Sequence, residues 1–172
     1  MAINQFNLAD GQRAERKLLI TVAEWKEDGK DVREILGKRT EDSSIEYNPD
    51  IQTSTDILGY NYTDINKTQP QQDFDPYLIL GGSKLGAKLN DIRKRNALSE
   101  LSQFTLYVIT AFVGTTGAYE AEKHEGCTIT YNSMGGDANV NFPISVYFSN
   151  VITNGTVDKL ADDFVFTPDV SV

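Results

Sequence analysis

SSIEYNPDIQTSTDILGYNYTDIN occupies residues 43–66, and its alternation of polar and apolar residues decides the predicted fold. From residue 44 to residue 56 the even positions are polar, whereas the odd positions from 45 onward are mostly apolar or β-branched. Because successive side chains of a strand point to opposite faces, this pattern predicts a long strand with one wet and one dry face. Gly59 permits a reversal, and residues 60–65 can return as the second arm. We therefore predict a β-hairpin over residues 43–66.

The first arm of this hairpin is long for a compact domain. Pro49 cannot donate to a strand ladder, so it marks an edge or a bulge. If unbroken, the arm would span roughly 45 Å at about 3.3 Å per residue, which exceeds the usual strand length. We therefore expect the hairpin to project or to pair with something beyond its own core. Tyr47, Tyr60 and Tyr62 are then placed to anchor a subunit interface.

Strand patterns also dominate the remainder of the chain. Apolar or alternating segments predict strands at 17–25, 104–113, 126–131, 142–150 and 164–167. Val32, Ile35 and Leu36 fit either a strand or a single helical turn. Glycine-containing pairs predict turns at 135–136 and 154–155, and residues 67–82 are predicted to form a loop.

One helix is predicted, over residues 83–96. Ser83 is suited to cap its N-terminus, and Leu85, Leu89 and Ile92 form a narrow apolar stripe at helical spacing. The strands and this helix together predict a mainly β fold, an antiparallel β-sandwich or barrel with one flanking α-helix. The length of 172 residues suits a single domain over residues 1–172.

The formal net charge of −9 argues against non-specific binding to nucleic acid or to an anionic membrane. This charge is unevenly distributed along the chain. Residues 41–75 carry −7, whereas residues 84–95, the predicted helix, carry +4. The acidic excess therefore falls mainly on the hairpin and the loop that follows it.

No pattern in the sequence predicts a reaction. His124 and Cys127 lie close in sequence, but two nearby strand residues rarely form a nucleophilic pair, and alternation places Cys127 in the core. The segment 81–86 departs from phosphate-loop spacing, which favours a turn with a helix cap. Asp73 and Asp75 are better explained as solvated loop carboxylates than as a metal pair. We therefore expect no catalytic, cofactor-binding or metal-binding residue, and no enzyme activity.

Membrane and secretion signals are not predicted. Residues 1–6 contain no apolar run that would act as a signal peptide, and the longest apolar stretch, 106–113, is far shorter than a membrane helix of about twenty residues. We expect no membrane partner and assembly in the cytoplasm. Trp25 and the eight tyrosines fit core and interface packing better than a stacking platform for a sugar or a base.

An ordered series of segments between residues 17 and 167 resembles the major tail tube proteins of bacteriophages. The series consists of 43–59, 62–76, Gly-Gly-Ser-Lys-Leu-Gly at 81–86, Lys-His-Glu-Gly-Cys at 123–127 and Gly-Thr-Val-Asp at 155–158. It is most similar to tube proteins of phages or prophages of Gram-positive bacteria. The resemblance also implies a relation to the tubes of contractile injection systems and type VI secretion.

This resemblance implies homohexameric rings that stack into a tail tube, with long hairpins from each subunit closing a continuous inner β-barrel. It implies a virion tail protein assembled in the host cytoplasm, with tape-measure and tail terminator or baseplate proteins as partners. DNA would be a transient cargo, bound without sequence specificity. Some relatives carry a C-terminal immunoglobulin-like domain, for which we expect no room in a chain that ends at Val172.

On this interpretation the dry face of the hairpin packs on the subunit's own sandwich, and the wet face lines the lumen. The residues expected to face the lumen are Glu46, Asn48, Asp50, Gln52 and Asp56. An acidic lining would repel the phosphate backbone, so that DNA slides. The helix cations expected at ring interfaces are Lys84, Lys88, Arg93 and Arg95. Two alternatives stay open: the tube of a bacteriocin or secretion particle that carries no DNA, and a carbohydrate-binding β-sandwich.

Overall fold

The computed structural model describes residues 6–170, so the predicted domain of residues 1–172 extends past the described residues at both ends. The described part contains one α-helix, α1 (Lys84–Arg95), two short 3-10 helices and eleven strands. The 3-10 helices are Arg16–Leu18 and Leu98–Ser102. The strands are β1 (Leu19–Glu27), β2 (Lys30–Ile35), β3 (Ile45–Glu46), β4 (Asp50–Thr55), β5 (Asn61–Lys67), β6 (Gln71–Phe74), β7 (Phe104–Thr115), β8 (Ala118–Tyr131), β9 (Ile144–Tyr147), β10 (Ile152–Val157) and β11 (Phe166–Pro168).

Nine of these strands form one antiparallel sheet. Its order is β2-β1-β7-β8-β9-β6-β3, and β10 pairs with both β8 and β11. The long strand β8 pairs with β7 and β10 along its first half and with β9 along its second half, so it joins the two parts of the sheet. Strands β1 and β6 are not neighbours in this order, yet the Thr21 hydroxyl in β1 donates to Gln72 Oε1 in β6 at 2.7 Å. The sheet is therefore curled upon itself as a β-sandwich or barrel.

The curled sheet has an apolar core on each face. Helix α1 covers the larger core with Leu85, Leu89 and Ile92, which are fully buried. The second core lies on the opposite face of β1 and β7 and contains Tyr107 and Phe164, whose rings meet edge to face at 5.0 Å. Burial on both faces explains why residues 104–113 are apolar throughout, and the predicted mainly β fold with one flanking helix is confirmed.

Four local predictions need correction. Residues 67–82 were predicted to form a loop, but they contain strand β6, which pairs with β3 and β9. Asn154 and Gly155 lie within strand β10 and not in a turn. Glycine is required at 155 because a Cβ there would overlap the Thr167 carbonyl oxygen and the Phe166 ring of β11. The strand predicted from residue 126 begins at Ala118, and the strand predicted at 142–150 is limited to the four residues of β9. Val32 and Ile35, which fitted either a strand or a helical turn, belong to strand β2, and Leu36 follows its end.

The first arm of the hairpin is not one unbroken strand. It consists of β3 and β4, separated at Asn48 and Pro49. Asn48 has a φ of +42°, in the left-handed region, which ends the regular strand geometry there. Strand β3 belongs to the main sheet through its pairing with β6, whereas β4 pairs only with β5. The break therefore divides the arm into a root held by the body of the subunit and a distal part beyond it.

Candidate functional site

The candidate site is the distal hairpin, formed by β4 and β5, because the rest of the subunit leaves it uncovered. It forms a two-stranded sheet separate from the main sheet, and every residue of both strands is exposed. The expectation that its dry face packs on the subunit's own sandwich is therefore wrong. A two-stranded hairpin is marginally stable by itself in water, because it has no hydrophobic face covered by other elements. Both its outer edges also present unpaired backbone groups.

The strand register shows which side chains share a face of the distal hairpin. Ile51 lies opposite Ile65 and Thr53 lies opposite Thr63, with the two threonine hydroxyl oxygens 3.3 Å apart. These four residues define the apolar face. Ile51 and Ile65 remain 56% and 65% exposed, so an apolar surface is left open to solvent. Opposed residues of an antiparallel pair contribute jointly to packing on whichever surface covers them.

The other face, which we call the polar face, carries Gln52 opposite Asp64 and Ser54 opposite Tyr62. Asp50, at an alternate position of the same strand, belongs to this face as well. In the strand register Asp50 lies opposite Lys67. The register shifts between Asp50 and Ile51, which leaves Asn66 as an extra residue in β5. A cation opposite Asp50 makes the face less acidic than the sequence of the first arm alone suggests.

The tip of the hairpin is apolar and held by one carboxylate. Asp56 Oδ1 accepts hydrogen bonds from the backbone N–H groups of Leu58 and Tyr60, at 2.8 and 2.9 Å. This arrangement fixes the turn and pushes its apolar side chains outward. Ile57 is fully exposed, Leu58 is 75% exposed and Tyr60 is 69% exposed. Asp56, predicted to line a lumen, thus lies in the tip turn.

The remaining predicted lining residues lie at the root of the hairpin. Glu46 is in β3, opposite Gln71 of β6, on the exposed side of the main sheet. The Asn48 side-chain amide donates to the Gln69 carbonyl oxygen at 3.2 Å, which ties the two arms together at the break. Tyr47 is 62% exposed beside it. The structure therefore distributes the predicted lining over a root, a distal face and a tip.

Three of the four helix cations predicted at interfaces are paired within the chain. Lys88 Nζ lies 2.8 Å from Glu100, and Arg95 bridges both Glu100 and Asp91 at 2.8 and 2.7 Å. Lys84 lies 3.7 Å from Asp162 in a more exposed pair. The fourth, Arg93, donates to the neutral Asn90 side chain at 2.9 Å.

Glu100 is the centre of this ion-pair cluster. Hydrogen bonds from Arg95 and Lys88 lower the pKa of Glu100 to about 2, and the same contact raises the pKa of Arg95. Because Glu100 lies in the 3-10 helix just after α1, the cluster fastens the end of the helix to the segment that leads into β7. These cations therefore have an evident structural role inside the subunit.

Comparisons with known proteins gave similarity in fold only. No protein-family model and no curated protein sequence matches the chain. One similar solved structure is a sheath–tube complex of the extracellular contractile injection system PVC in its extended state; the match has 12% identity, covers 86% of this chain and 94% of that one, and has a TM-score of 0.46. Another is the six-fold symmetrised baseplate of the anti-feeding prophage (AFP), with 7% identity, coverage of 86% and 97%, and a TM-score of 0.47.

The glycine-rich segment before α1 already has an anion at the helix N-terminus, and it comes from the chain itself. The Glu34 carboxylate of β2 accepts from the backbone N–H groups of Lys84 and Leu85, at 2.5 and 3.0 Å. The hydroxyls of Tyr77 and Ser83 also lie within 3.1 Å of it. A carboxylate at this position satisfies free N–H groups and complements the helix dipole. The sequence alone does not reveal this role of Glu34, because its partner lies fifty residues away.

His124 and Cys127 contact other groups. The two ring nitrogens of His124 lie 3.1 Å from the Ser149 carbonyl oxygen and 3.3 Å from a Glu122 carboxylate oxygen. The Cys127 thiol instead contacts the backbone carbonyl of His124, and burial raises its pKa. A thiol with a raised pKa is a poor nucleophile at neutral pH. The pair therefore has the geometry of a packed core contact.

The other candidate sites have structural partners as well. Asp73 accepts from Gln71 and Asp75 from Asn141, on either side of the buried Phe74. Within residues 6–170 no group of three or more His, Cys, Asp or Glu side chains is arranged to hold a metal ion. Trp25 is 4% exposed and packs edge to face on Phe104, so its ring offers no open stacking surface.

Helices that could cross a membrane are likewise not found in the part of the chain that the structure describes. A partly buried ion pair was also not predicted from the sequence. Arg33 in β2 donates to Glu24 in β1 at 2.5 Å and lies 4.2 Å above the centre of the Phe164 ring. Alternation marks both residues as polar strand positions but gives no sign that they pair inside the fold.

Proposed function

We propose that this chain is a structural subunit of a tube, in which homohexameric rings stack and the distal hairpins of neighbouring subunits close an inner β-barrel. The observation that carries this proposal is the separate β4–β5 sheet, whose residues are all exposed and whose apolar face the subunit leaves uncovered. The sequence resemblance to phage tail tube proteins gives the same assembly. No reaction is part of the proposal.

Barrel closure explains why the distal hairpin is separate from the main sheet, has two free edges and leaves its apolar face uncovered. Pairing with neighbours on both sides would occupy the two free edges, which otherwise invite uncontrolled aggregation. In a closed barrel the two faces of each strand point inward and outward. The apolar face, with Ile51 and Ile65, would then pack outward against the bodies of neighbouring subunits, and the polar face would line the lumen.

The lining that follows from the register differs from the lining read from the first arm alone. On the distal hairpin, Asp50, Gln52 and Asp64 would face the lumen, with Lys67 opposite Asp50. Glu46 and Asn48 would line the root, whereas Asp56 lies in the tip turn, outside the strand register that defines the lining. A mainly acidic and amide lining does not release counterions from DNA, so it would let the phosphate backbone pass. We therefore propose DNA as the transient cargo of a phage tail.

Subunit and ring contacts are assigned from exposure. Tyr47 and Tyr60 are large, exposed aromatic residues of the kind that anchor interfaces. Tyr62 was predicted to be a third anchor, but its place opposite Ser54 would direct it to the lumen. Among the cations of α1, Arg93 and Lys84 are the better candidates for contacts between rings, because Lys88 and Arg95 already pair with Glu100.

The biological setting follows from the same proposal. The tube would belong to the virion tail of a phage or prophage of a Gram-positive bacterium, assembled in the host cytoplasm. Its further partners would be a tape-measure protein inside and terminator or baseplate proteins at the ends. A tube that carries no DNA, in a bacteriocin or secretion particle, would need the same hairpin barrel and differs only in cargo.

Two neighbouring lysine substitutions test the proposal, because residues 52 and 53 point to opposite faces of β4. Gln52→Lys places a cation in the lumen opposite Asp64, so we expect tubes to form normally, with DNA delivery reduced at least tenfold. Thr53→Lys places the same charge on the apolar face, so we expect tube formation to fail. Equal assembly of the two variants, seen by electron microscopy, would contradict the barrel. Normal infectivity of Gln52→Lys would contradict only the DNA-lined lumen.

A further inference from the structure

An open cavity lies at the root of the hairpin. It is a cleft of about 440 Å³ between the start of β1, the segment that follows β2, and β6. Leu19, Ile20 and Ile35 contribute apolar wall, and Ser43 and Gln72 mark the place where the hairpin arms leave the body. A volume of this size is in the range of clefts that accept side chains or small ligands.

The rim of this cleft is positively charged. Arg16, Lys17 and Lys38 line it, against the single acidic residue Glu41. Arg16 donates to the backbone carbonyls of Leu19 and Ser43, and these neutral acceptors do not neutralise its charge. Within residues 6–170 Lys38 has no ion-pair partner, whereas Lys17 is paired with Glu15. The cleft thus combines apolar walls with unsatisfied positive charge.

The hairpin tip has the complementary properties. Ile57 is fully exposed and Leu58 is three-quarters exposed, and Asp56 precedes them in the turn. Only Oδ1 of Asp56 is engaged in the turn, so Oδ2 is free among the described residues. An apolar tip flanked by one free carboxylate oxygen matches an apolar cleft with a basic rim.

The tip does not occupy the cleft of its own chain. Ile57 is fully exposed, and the described lining of the cleft contains none of the tip residues 56–58. At about 3.3 Å per residue, the arm from Ile45 to Ile57 spans up to about 40 Å away from the root. In this conformation a tip therefore meets a cleft only on a second copy. Such a contact joins two different surfaces of the same chain, so it is heterologous, and between stacked rings it can repeat from copy to copy.

We infer that the tip residues Asp56, Ile57 and Leu58 of one subunit dock into the cleft rimmed by Arg16 and Lys38 of a second copy in the adjacent ring. This inference deepens the proposed tube function and rests on it. Tip-to-root docking orients every ring in the same direction, because the two ends of the contact are different. It also spaces successive rings by no more than the length of the hairpin.

Cysteine cross-linking of the assembled protein tests the contact. The double variant Leu58→Cys/Lys38→Cys is treated with a short bismaleimide, and the products are separated under denaturing conditions. We expect a ladder that extends beyond dimers, because each copy offers one tip and one cleft. The control Leu58→Cys/Lys30→Cys carries its second thiol at the other end of β2, about 20 Å from the cleft, and is expected to give no ladder. The native Cys127 is buried in both variants.

The outcomes separate this contact from the tube itself. If tubes form but Leu58→Cys/Lys38→Cys gives no ladder, or if both double variants give equal ladders, the docking is overturned and the tube proposal is not. A ladder from soluble oligomers that never form tubes would support the docking and overturn the tube. Neither tubes nor a ladder would overturn both.

A pair of charge reversals gives a second readout that does not depend on cysteine chemistry. Lys38→Glu would repel Asp56 of the docking copy, so we expect the protein concentration needed for half-maximal assembly to rise about tenfold. Lys30→Glu makes the same charge change outside the cleft and is expected to leave that concentration within twofold of the parent protein. Equal effects of the two substitutions would refute the docking.

Discussion

Replacing Ile51 and Ile65 together with threonine separates the stability of the subunit from its assembly. Both side chains are more than half exposed on the apolar face of the distal hairpin, and neither contributes to the two cores. Threonine keeps the β-branched shape that suits a strand, so the hairpin itself is preserved. The substitution therefore removes apolar surface only where we propose that neighbouring subunits cover it.

The expected magnitude follows from the area that remains to be covered. Full burial of an isoleucine side chain contributes about 1.5–3 kcal/mol, and 56% and 65% of these two side chains are still exposed. Losing most of that contribution at both positions weakens assembly by about 2–3 kcal/mol per subunit. At about 1.4 kcal/mol for each factor of ten, the critical concentration rises roughly 30- to 140-fold.

The assay compares two measurements on the same protein. Light scattering against protein concentration gives the critical concentration, and thermal unfolding below that concentration gives the stability of the subunit. Exposed substitutions usually change stability by no more than about 0.5 kcal/mol, so the melting temperature should move by no more than about 2 °C. The matched control, Ile129→Thr, changes a fully buried residue and should cost more than about 2 kcal/mol of folding stability.

Either of two results would refute the reasoning. If the double variant assembled at the parental concentration, the apolar face would not be part of the assembly contact. If it unfolded as early as Ile129→Thr, the apolar face would already be packed within the subunit, contrary to the structure.

Two further predictions concern the helix. Glu34→Gln removes the charge that accepts from two N–H groups at the start of α1, so we expect a loss of about 1–2 kcal/mol in thermal unfolding; Glu27→Gln, at an exposed position, should change nothing, and equal effects would contradict the capping role. The pKa of Glu100 is lowered from its usual 4.5 to about 2, so its ion pairs stabilise the folded state above pH 4.5 and lose that contribution as the pH falls toward 2. The melting-temperature difference between the parent and Glu100→Gln should therefore be greatest above pH 4.5 and shrink below it; a difference independent of pH would contradict this account.

Local signals in the sequence were sufficient to predict helix α1 and strand β7. Ser83 accepts from the Gly86 N–H as an N-cap, and the apolar stripe of α1 faces the larger core as its spacing predicts. Both predictions depend on residues within one or two turns of each other. The same holds for β7, whose continuous apolar run is buried on both faces.

Roles that depend on partners distant in the sequence could not be predicted from the sequence alone. Gly155 is indistinguishable from a turn glycine until the Phe166 ring is seen to lie across it. Glu34 and Arg33 are ordinary polar strand residues until the fold brings the helix N-terminus and Glu24 to them.

The candidate site shows the same division. Alternation predicted the hairpin and its polar positions, but Lys67 became part of the polar face only through the register with Asp50. Strict alternation would have placed Glu46 on the polar face of one continuous hairpin. Because the arm breaks at Asn48, Glu46 instead belongs to the main sheet. Register and backbone irregularity are properties of strand pairing, which a single strand does not encode.

Cryo-electron microscopy of the purified protein, assembled above its critical concentration, tests the central claim most directly. The account predicts tubes of stacked six-fold rings in which β4 and β5 pair with strands of neighbouring subunits, with Gln52 and Asp64 facing the lumen. Monomers at every salt and protein concentration, or tubes whose distal hairpins point to the outside, would contradict it.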